Sequence, residues 1–194
     1  MSALRTICVY CGASSRVDAI YRETAARTGE ILARSGFNVV YGGGRLGLMG
    51  IVADNALANG AHVTGIIPTL LQDIEGAHPG LSTIEIVDTM HTRKRKMSEL
   101  ADAFIILPGG FGTLDELFEI LTWRQLQMHD KPIVIINTNN YWNPLKMLIS
   151  NIIEEKFATP AHATFAKFVA SPDEAISALT DLPEPELGFA GQHV

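Results

Sequence analysis

Ala103-Phe104-Ile105-Ile106-Leu107-Pro108-Gly109-Gly110-Phe111-Gly112-Thr113-Leu114-Asp115-Glu116 is the stretch that decides the fold. An apolar run is followed by a proline, three glycines in four positions, and an amphipathic segment from Leu114 to Leu126, which reads as strand, glycine loop, helix. The glycines let successive N–H groups turn toward one point, and the helix adds its positive N-terminal end. A phosphate is the expected ligand. Glu116 is expected in the first turn of that helix, beside the anion it would repel, so its presence needs a reason. Two are open: a capping box, with Thr113 and Glu116 satisfying each other's backbone N–H groups, or a catalytic acid/base.

Outward from this stretch the same alternation recurs. Thr6–Tyr10, Phe37–Tyr41, His62–Ile67, Thr83–Val87, Ala103–Leu107, Ile133–Ile136 and Lys167–Ala170 read as short strands. Helical patterns fall at Ala19–Arg34, Leu48–Ala58, Met90–Ala101, Thr113–Gln127, Pro144–Lys156 and Pro172–Leu179. Such βαβ repetition predicts an α/β, Rossmann-like, doubly wound sheet of six to seven mostly parallel strands with helices on both faces. Residues 1–182 are expected to form one nucleotide-binding domain, and 183–194, with Pro183, Pro185, Gly188 and Gly191, a disordered tail. The long connection Pro68–Ser82 is expected to fold over a site.

Composition narrows the function. The 194 residues carry a net charge of −6, with a pI near 5.5 and a mean hydropathy of +0.17. This balance argues against nucleic acid, whose binding rests on neutralising many phosphates. No apolar run approaches the ~20 residues of a membrane span. The start of the chain shows no signal-peptide pattern, so a cytoplasmic protein is expected. Cys8 and Cys11, three extended residues apart, have Cα atoms ~10 Å apart and side chains on opposite faces, too far for a disulfide. They are expected to be reduced thiols, at least one of them in the core.

Ligands of such sheets bind beyond the carboxyl ends of the strands, and three of those ends carry glycine turns: Cys11-Gly12-Ala13-Ser14-Ser15, Gly42 to Gly50, and Pro108 to Thr113. Together they argue for one shared site with close backbone approach to a ligand. Gly42-x-Gly44-x-x-Gly47 matches the dinucleotide fingerprint formally, yet it follows the second strand and the next strand ends in Ile66-Ile67-Pro68, without the acidic residue that holds a ribose. No G-K-[S/T] is present, which excludes a P-loop. A mononucleotide suits the three turns better.

Met90-His91-Thr92-Arg93-Lys94-Arg95-Lys96-Met97 is the second informative segment. At ~100° per residue, Met90, Met97 and Ala101 form a stripe flanked by Arg93 and Lys94, while Arg95 and Lys96 point away. Cations bordering a buried stripe need anionic partners; Glu116, a ligand phosphate, or both are the candidates.

Gly43-Gly44-x-x-Gly47-Leu48-Met49-Gly50, Met90-His91-x-Arg93-Lys94-x-x-Met97 and Pro108-Gly109-Gly110-Phe111-Gly112-Thr113-x-x-Glu116, in this order, resemble the lonely guy family of cytokinin-activating phosphoribohydrolases, from about Thr6 to Ala178. Such proteins have also carried the label lysine decarboxylase; no lysine here stands out as a Schiff-base partner for pyridoxal phosphate. The resemblance implies hydrolysis of the N-glycosidic bond of an N6-modified adenosine 5′-monophosphate, or of AMP itself, to free base and ribose 5-phosphate, with no cofactor and no metal. It makes Arg93 and Glu116 the catalytic pair. It places Gly12, Ser14, Gly43, Gly44, Glu75, Met90, Lys94, Gly109, Gly110, Phe111, Gly112, Thr113 and Thr122 around the substrate, with Met90 against the adenine. His91 is expected to be structural. A homodimer is also implied, for which Trp123, Leu126 and Met128 offer apolar surface. Ala13, Phe111 and Asp115 depart from the residues usual in the family, and none of them is in the catalytic pair. The alternative from a different class is a non-catalytic nucleotide or cofactor carrier, such as the molybdenum-cofactor carriers, in which a carboxylate close to a phosphate would have no use.

Overall fold

The computed structural model describes residues 5–180; the expected tail at 183–194 lies outside the described residues. Seven strands form one sheet: β1 (Thr6–Tyr10), β2 (Asn38–Tyr41), β3 (Val63–Pro68), β4 (Thr83–Val87), β5 (Ala103–Ile106), β6 (Ile133–Ile136) and β7 (Lys167–Val169). Their order is β4-β3-β2-β1-β5-β6-β7, and every neighbouring pair is parallel. Seven α-helices connect or follow them: α1 (Ala19–Arg34), α2 (Gly47–Ala58), α3 (Thr69–Glu75), α4 (Met90–Leu100), α5 (Phe111–Gln125), α6 (Asn143–Glu154) and α7 (Pro172–Thr180).

A strand buried on both faces needs apolar residues at consecutive positions. Ile7 and Val9 of β1, with Cys11 just after the strand, face one core with α1, α2 and α7, while Cys8 and Tyr10 face the other with α4, α5 and α6. The cysteines therefore sit on opposite faces of the sheet, both buried and both free thiols. Burying each of the larger aliphatic side chains contributes about 1.5–3 kcal/mol. Glycine sets the spacing of one layer: a Cβ on Gly29 of α1 would run into the Val52 carbonyl of α2.

The connection 68–82, read as a loop, contains a short helix, α3. It turns at Gly76, whose φ is +74°, and hooks back onto the glycine turn after β2. Gly44 and Ala77 form an antiparallel bridge, and the His78 N–H donates to the Gly43 carbonyl at 3.0 Å. The buried His78 ring accepts from Gly80 N–H at Nδ1, 3.1 Å, and bonds Asp54 Oδ1 through Nε2, 2.9 Å. No helix among the described residues is long and apolar enough to cross a membrane.

Candidate active site

Strand order reverses between β1 and β5, and in open parallel sheets that reversal opens a crevice at the carboxyl ends. Here the two turns meet: Gly12 N–H donates to the Pro108 carbonyl at 3.1 Å, and the Gly12 carbonyl accepts from Leu48 N–H of α2 at 3.0 Å. Gly47, with φ +60°, lies so close to the Ala13 backbone that no side chain fits there. Above the junction is a cavity of about 530 Å³, lined by residues from Cys11 to Ser14, by α1, α2 and α3, by Met90 and Arg93, and by the glycine loop with Glu116. That volume lies in the range of small-ligand sites.

Helix α5 begins at Phe111, two residues earlier than the sequence suggests, with Gly110 in the capping position and no side-chain cap. The capping box is therefore absent. Thr113 is the third helical residue, buried, with its Oγ1 against Gly109, and Glu116 falls in the second turn and not the first. Glycine is an accepted cap, and using it leaves the N–H groups of residues 110 to 113 without partners inside the helix. A Cβ on Gly110 or Gly112 would meet no atom within 4 Å, so the loop borders open space.

Arg93 and Glu116 come together here, at 7% and 7% exposure. The Arg93 guanidinium is anchored by Nε on the Ile66 carbonyl and Nη2 on the Gly42 carbonyl, both at 3.2 Å. Its Nη1 lies 3.7 Å from Glu116 Oε1, an ion pair beyond hydrogen-bond length. Burial pushes the Glu116 carboxyl up, the Arg93 charge opposes this, and the balance leaves a pKa of about 7. A carboxyl of that kind exchanges protons near neutrality.

Lys94, one of the two cations that needed a partner, turns away from Glu116. Its Nζ contacts Asp115 Oδ2 at 2.9 Å and Glu119 Oε1 at 3.1 Å. Burial works against its charge, yet the hydrogen bonds to the two carboxylates raise its pKa above the ordinary lysine value. A lysine held charged is a poor Schiff-base nucleophile. Arg95 and Lys96 point outward, to Glu99 and Glu85, and His91 is exposed.

Of the residues placed around a substrate by resemblance, Gly12, Ser14, Met90, Gly109, Gly110, Gly112 and Thr113 line the cavity with Arg93 and Glu116. Others do not. Gly43 and Gly44 stand off the lining, Gly43 against Ile67 and Gly44 in its bridge with Ala77. The Phe111 side chain is 92% exposed and projects outside the cavity, because the first residue of α5 faces solvent. Thr122 lies three turns along α5, donating to the Phe118 carbonyl and bordering a separate groove. The Glu75 side chain lies outside the described residues. Leu71, Tyr21 and Tyr141 line the cavity without having been singled out. The pair Asn139-Asn140, a turn signal, precedes Tyr141 and marks the place. Among the described residues no cluster of His, Cys, Asp and Glu is arranged to hold a metal ion.

Fold and site define a Rossmann-like α/β protein with a nucleotide-sized crevice at its topological switch point. The profile of a family described as "Possible lysine decarboxylase" matches residues 49–179, and a cytokinin riboside 5′-monophosphate phosphoribohydrolase of Rhodococcoides fascians is 46% identical over 158 residues, 81% of this chain and 80% of its own length. The chain belongs to this family, the lonely guy phosphoribohydrolases. A protein of the same name from Arabidopsis thaliana is 38% identical over 93% of this chain and 84% of its own length. In fold, the chain superposes on the molybdenum cofactor binding protein of Rippkaea orientalis with a TM-score of 0.71 at 18% identity, covering 93% of this chain and 98% of that one. This last likeness is one of fold.

Proposed function

We propose that this chain hydrolyses the N-glycosidic bond of adenosine 5′-monophosphates, N6-modified or plain, releasing the base and ribose 5-phosphate. The observation that carries the reading is the buried Glu116 beside Arg93 in a cavity bounded by a glycine loop. As the C1′–N bond breaks, positive charge develops on the ribose and negative charge on the departing base. Glu116, ionised, takes a proton from the attacking water and stabilises the ribosyl cation. The water oxygen bonds C1′, the bonding pair leaves with the adenine, and the adenine takes up a proton from solvent while Glu116 gives its own back to solvent. Arg93 supplies the positive charge that either orients Glu116 or meets the leaving base. The unpartnered N–H groups of residues 110 to 113 hold the 5′-phosphate, turning remote binding energy into alignment of C1′.

The relatives' names support this reading, and a carrier would gain nothing from a buried carboxyl titrating near neutrality. We further place the protein in the cytoplasm, with its phosphorylated substrate, as a homodimer whose contact uses the half-buried Trp123 and the exposed Leu126 and Met128.

Base release from AMP and from N6-isopentenyladenosine monophosphate, followed chromatographically for wild type and Glu116→Gln, tests the hydrolase. Release by wild type alone is expected, and the rate ratio gives the base preference. Binding of AMP without release by either protein would leave the carrier.

A further inference from the structure

Tyr141 reaches the cavity from the connection between β6 and α6, and its backbone setting is unusual. Asn139 and Asn140 both adopt the left-handed conformation, with φ of +51° and +60°. Consecutive non-glycine residues in that region are strained, and strain persists only where the surroundings over-determine it. Those surroundings are visible. Asn137 Oδ1 accepts from Trp142 N–H at 2.7 Å, and Asn137 Nδ2 donates to Asn143 Oδ1 at 2.9 Å. The Tyr141 ring packs edge-on against Trp142, centroids 4.8 Å apart, and against Tyr21 of α1 at 5.8 Å.

The strained turn delivers the Tyr141 hydroxyl to the Gly109 carbonyl, to which it donates at 2.6 Å. Gly109 has no side chain to hold it, and no peptide among the described residues is cis. In a trans peptide the C=O and the following N–H point in opposite directions. Tying the Gly109 carbonyl to Tyr141 therefore fixes the direction of the Gly110 N–H, the first of the four donors at the start of α5.

We infer that Tyr141 is a positioning residue: its hydroxyl locks the Gly109–Gly110 peptide so that the loop is preorganised for a phosphate monoester. This rests on the proposed nucleotide site, and it assigns a task to a residue outside the family motifs. Without the hydroxyl, the most flexible peptide of the loop must be ordered by the ligand, and affinity falls by the amount preorganisation supplied. The loss should track the phosphate and ignore the nucleoside.

The test is calorimetric titration of Tyr141→Phe and Tyr141→Ala with ribose 5-phosphate, AMP and adenosine, the AMP arm in the Glu116→Gln background so that ligand is not consumed. Tyr141→Phe keeps the ring and its packing. We expect it to weaken ribose 5-phosphate and AMP by roughly three- to tenfold, the worth of one hydrogen bond, and adenosine by less than twofold. Tyr141→Ala should weaken the phosphorylated ligands further. In turnover, KM for AMP should rise by the same factor in Tyr141→Phe while kcat stays within about twofold. Unchanged ribose 5-phosphate affinity in Tyr141→Phe, an equal loss for adenosine, or no binding of ribose 5-phosphate by the wild type would each overturn the assignment. Wild-type binding without hydrolysis would instead defeat the hydrolase reading, and the phosphate-specific loss in Tyr141→Phe would still support the positioning role.

Discussion

Nη1 of Arg93 stands 3.7 Å from Oε1 of Glu116, each side chain being more than nine-tenths buried. The separation is short enough for strong attraction in a poorly solvated site and too long for a hydrogen bond, so the carboxylate is not tied up by its counter-ion. The Ile66 and Gly42 carbonyls define where the guanidinium sits. Glu116 is thus left to respond to whatever enters the cavity.

Activity should rise with pH on the acidic side. In the proposed reaction Glu116 must be ionised to accept a proton from water, and burial raises its pKa to about 7. We expect kcat/KM to climb tenfold per pH unit below that value and level off above it. On the plateau above about pH 7, Glu116→Gln should lower kcat by about 10²–10⁴-fold, the gap narrowing as the pH falls and the wild-type carboxyl protonates, while AMP binding survives.

Stability should run the other way. Glu116 has a folded-state pKa above its unfolded value, so its contribution is fully present below about 4.5 and is lost as pH rises through about 7. Ionising a buried carboxyl costs on the order of 2–4 kcal/mol here. Chemical denaturation of wild type and Glu116→Gln between pH 4 and pH 9 should show the variant gaining relative stability as the pH increases. Parallel curves for the two proteins would contradict the shift.

Arg93→Lys keeps the charge and loses the fork. A lysine has no planar pair of donors for the Ile66 and Gly42 carbonyls, so its ammonium would not be held at the same place. The expected result is a fall in kcat of about 10²-fold, with a smaller change in KM, measured on AMP.

Gly42→Ala is a second route to the same defect. A Cβ on Gly42 would occupy the position of the Arg93 guanidinium, and Gly42 does not have the positive φ that would strain an alanine. We expect a loss of kcat/KM approaching that of Arg93→Lys, with a stability cost of about 1–3 kcal/mol from overpacking. Thermal unfolding alongside steady-state kinetics separates the two effects.

For the proposed homodimer, light scattering should return twice the chain mass of 21.0 kDa. The double substitution Leu126→Glu and Met128→Glu, at side chains 63% and 65% exposed, should return the single-chain mass. A wild type of single-chain mass would end the proposal.

Most strand positions were legible because a parallel strand covered on both faces shows as an uninterrupted apolar run, as in Ile133–Ile136. The order of the strands was not, since the same βαβ units can wind in either direction from β1, and no residue encodes the reversal before β5. The capping box was misplaced for a local reason: Thr113 with Glu116 matches the box pattern, but glycine caps about as well as threonine, and the open side of Gly110 lets the helix start earlier. Lys94 could be read as bordering a buried stripe, while its partners Asp115 and Glu119 lie on another helix, and no local pattern pairs residues across two helices. Helix α3 was hidden because seven residues carry too few turns for a periodicity. Tyr141 was hidden because its role comes from a backbone conformation.

The bond from Gly12 to Pro108 joins two segments of the chain that are far apart in sequence, and the strands beneath it are equally remote: the Thr6 N–H is received by Asp102, 96 positions later. Contacts of such separation close slowly. A growing polypeptide can wind β1 to β4 and their helices while its pocket has only one wall. The proposed hydrolytic centre therefore cannot form until α5 has been made, and a chain interrupted before α5 would carry Arg93 with no carboxylate opposite it.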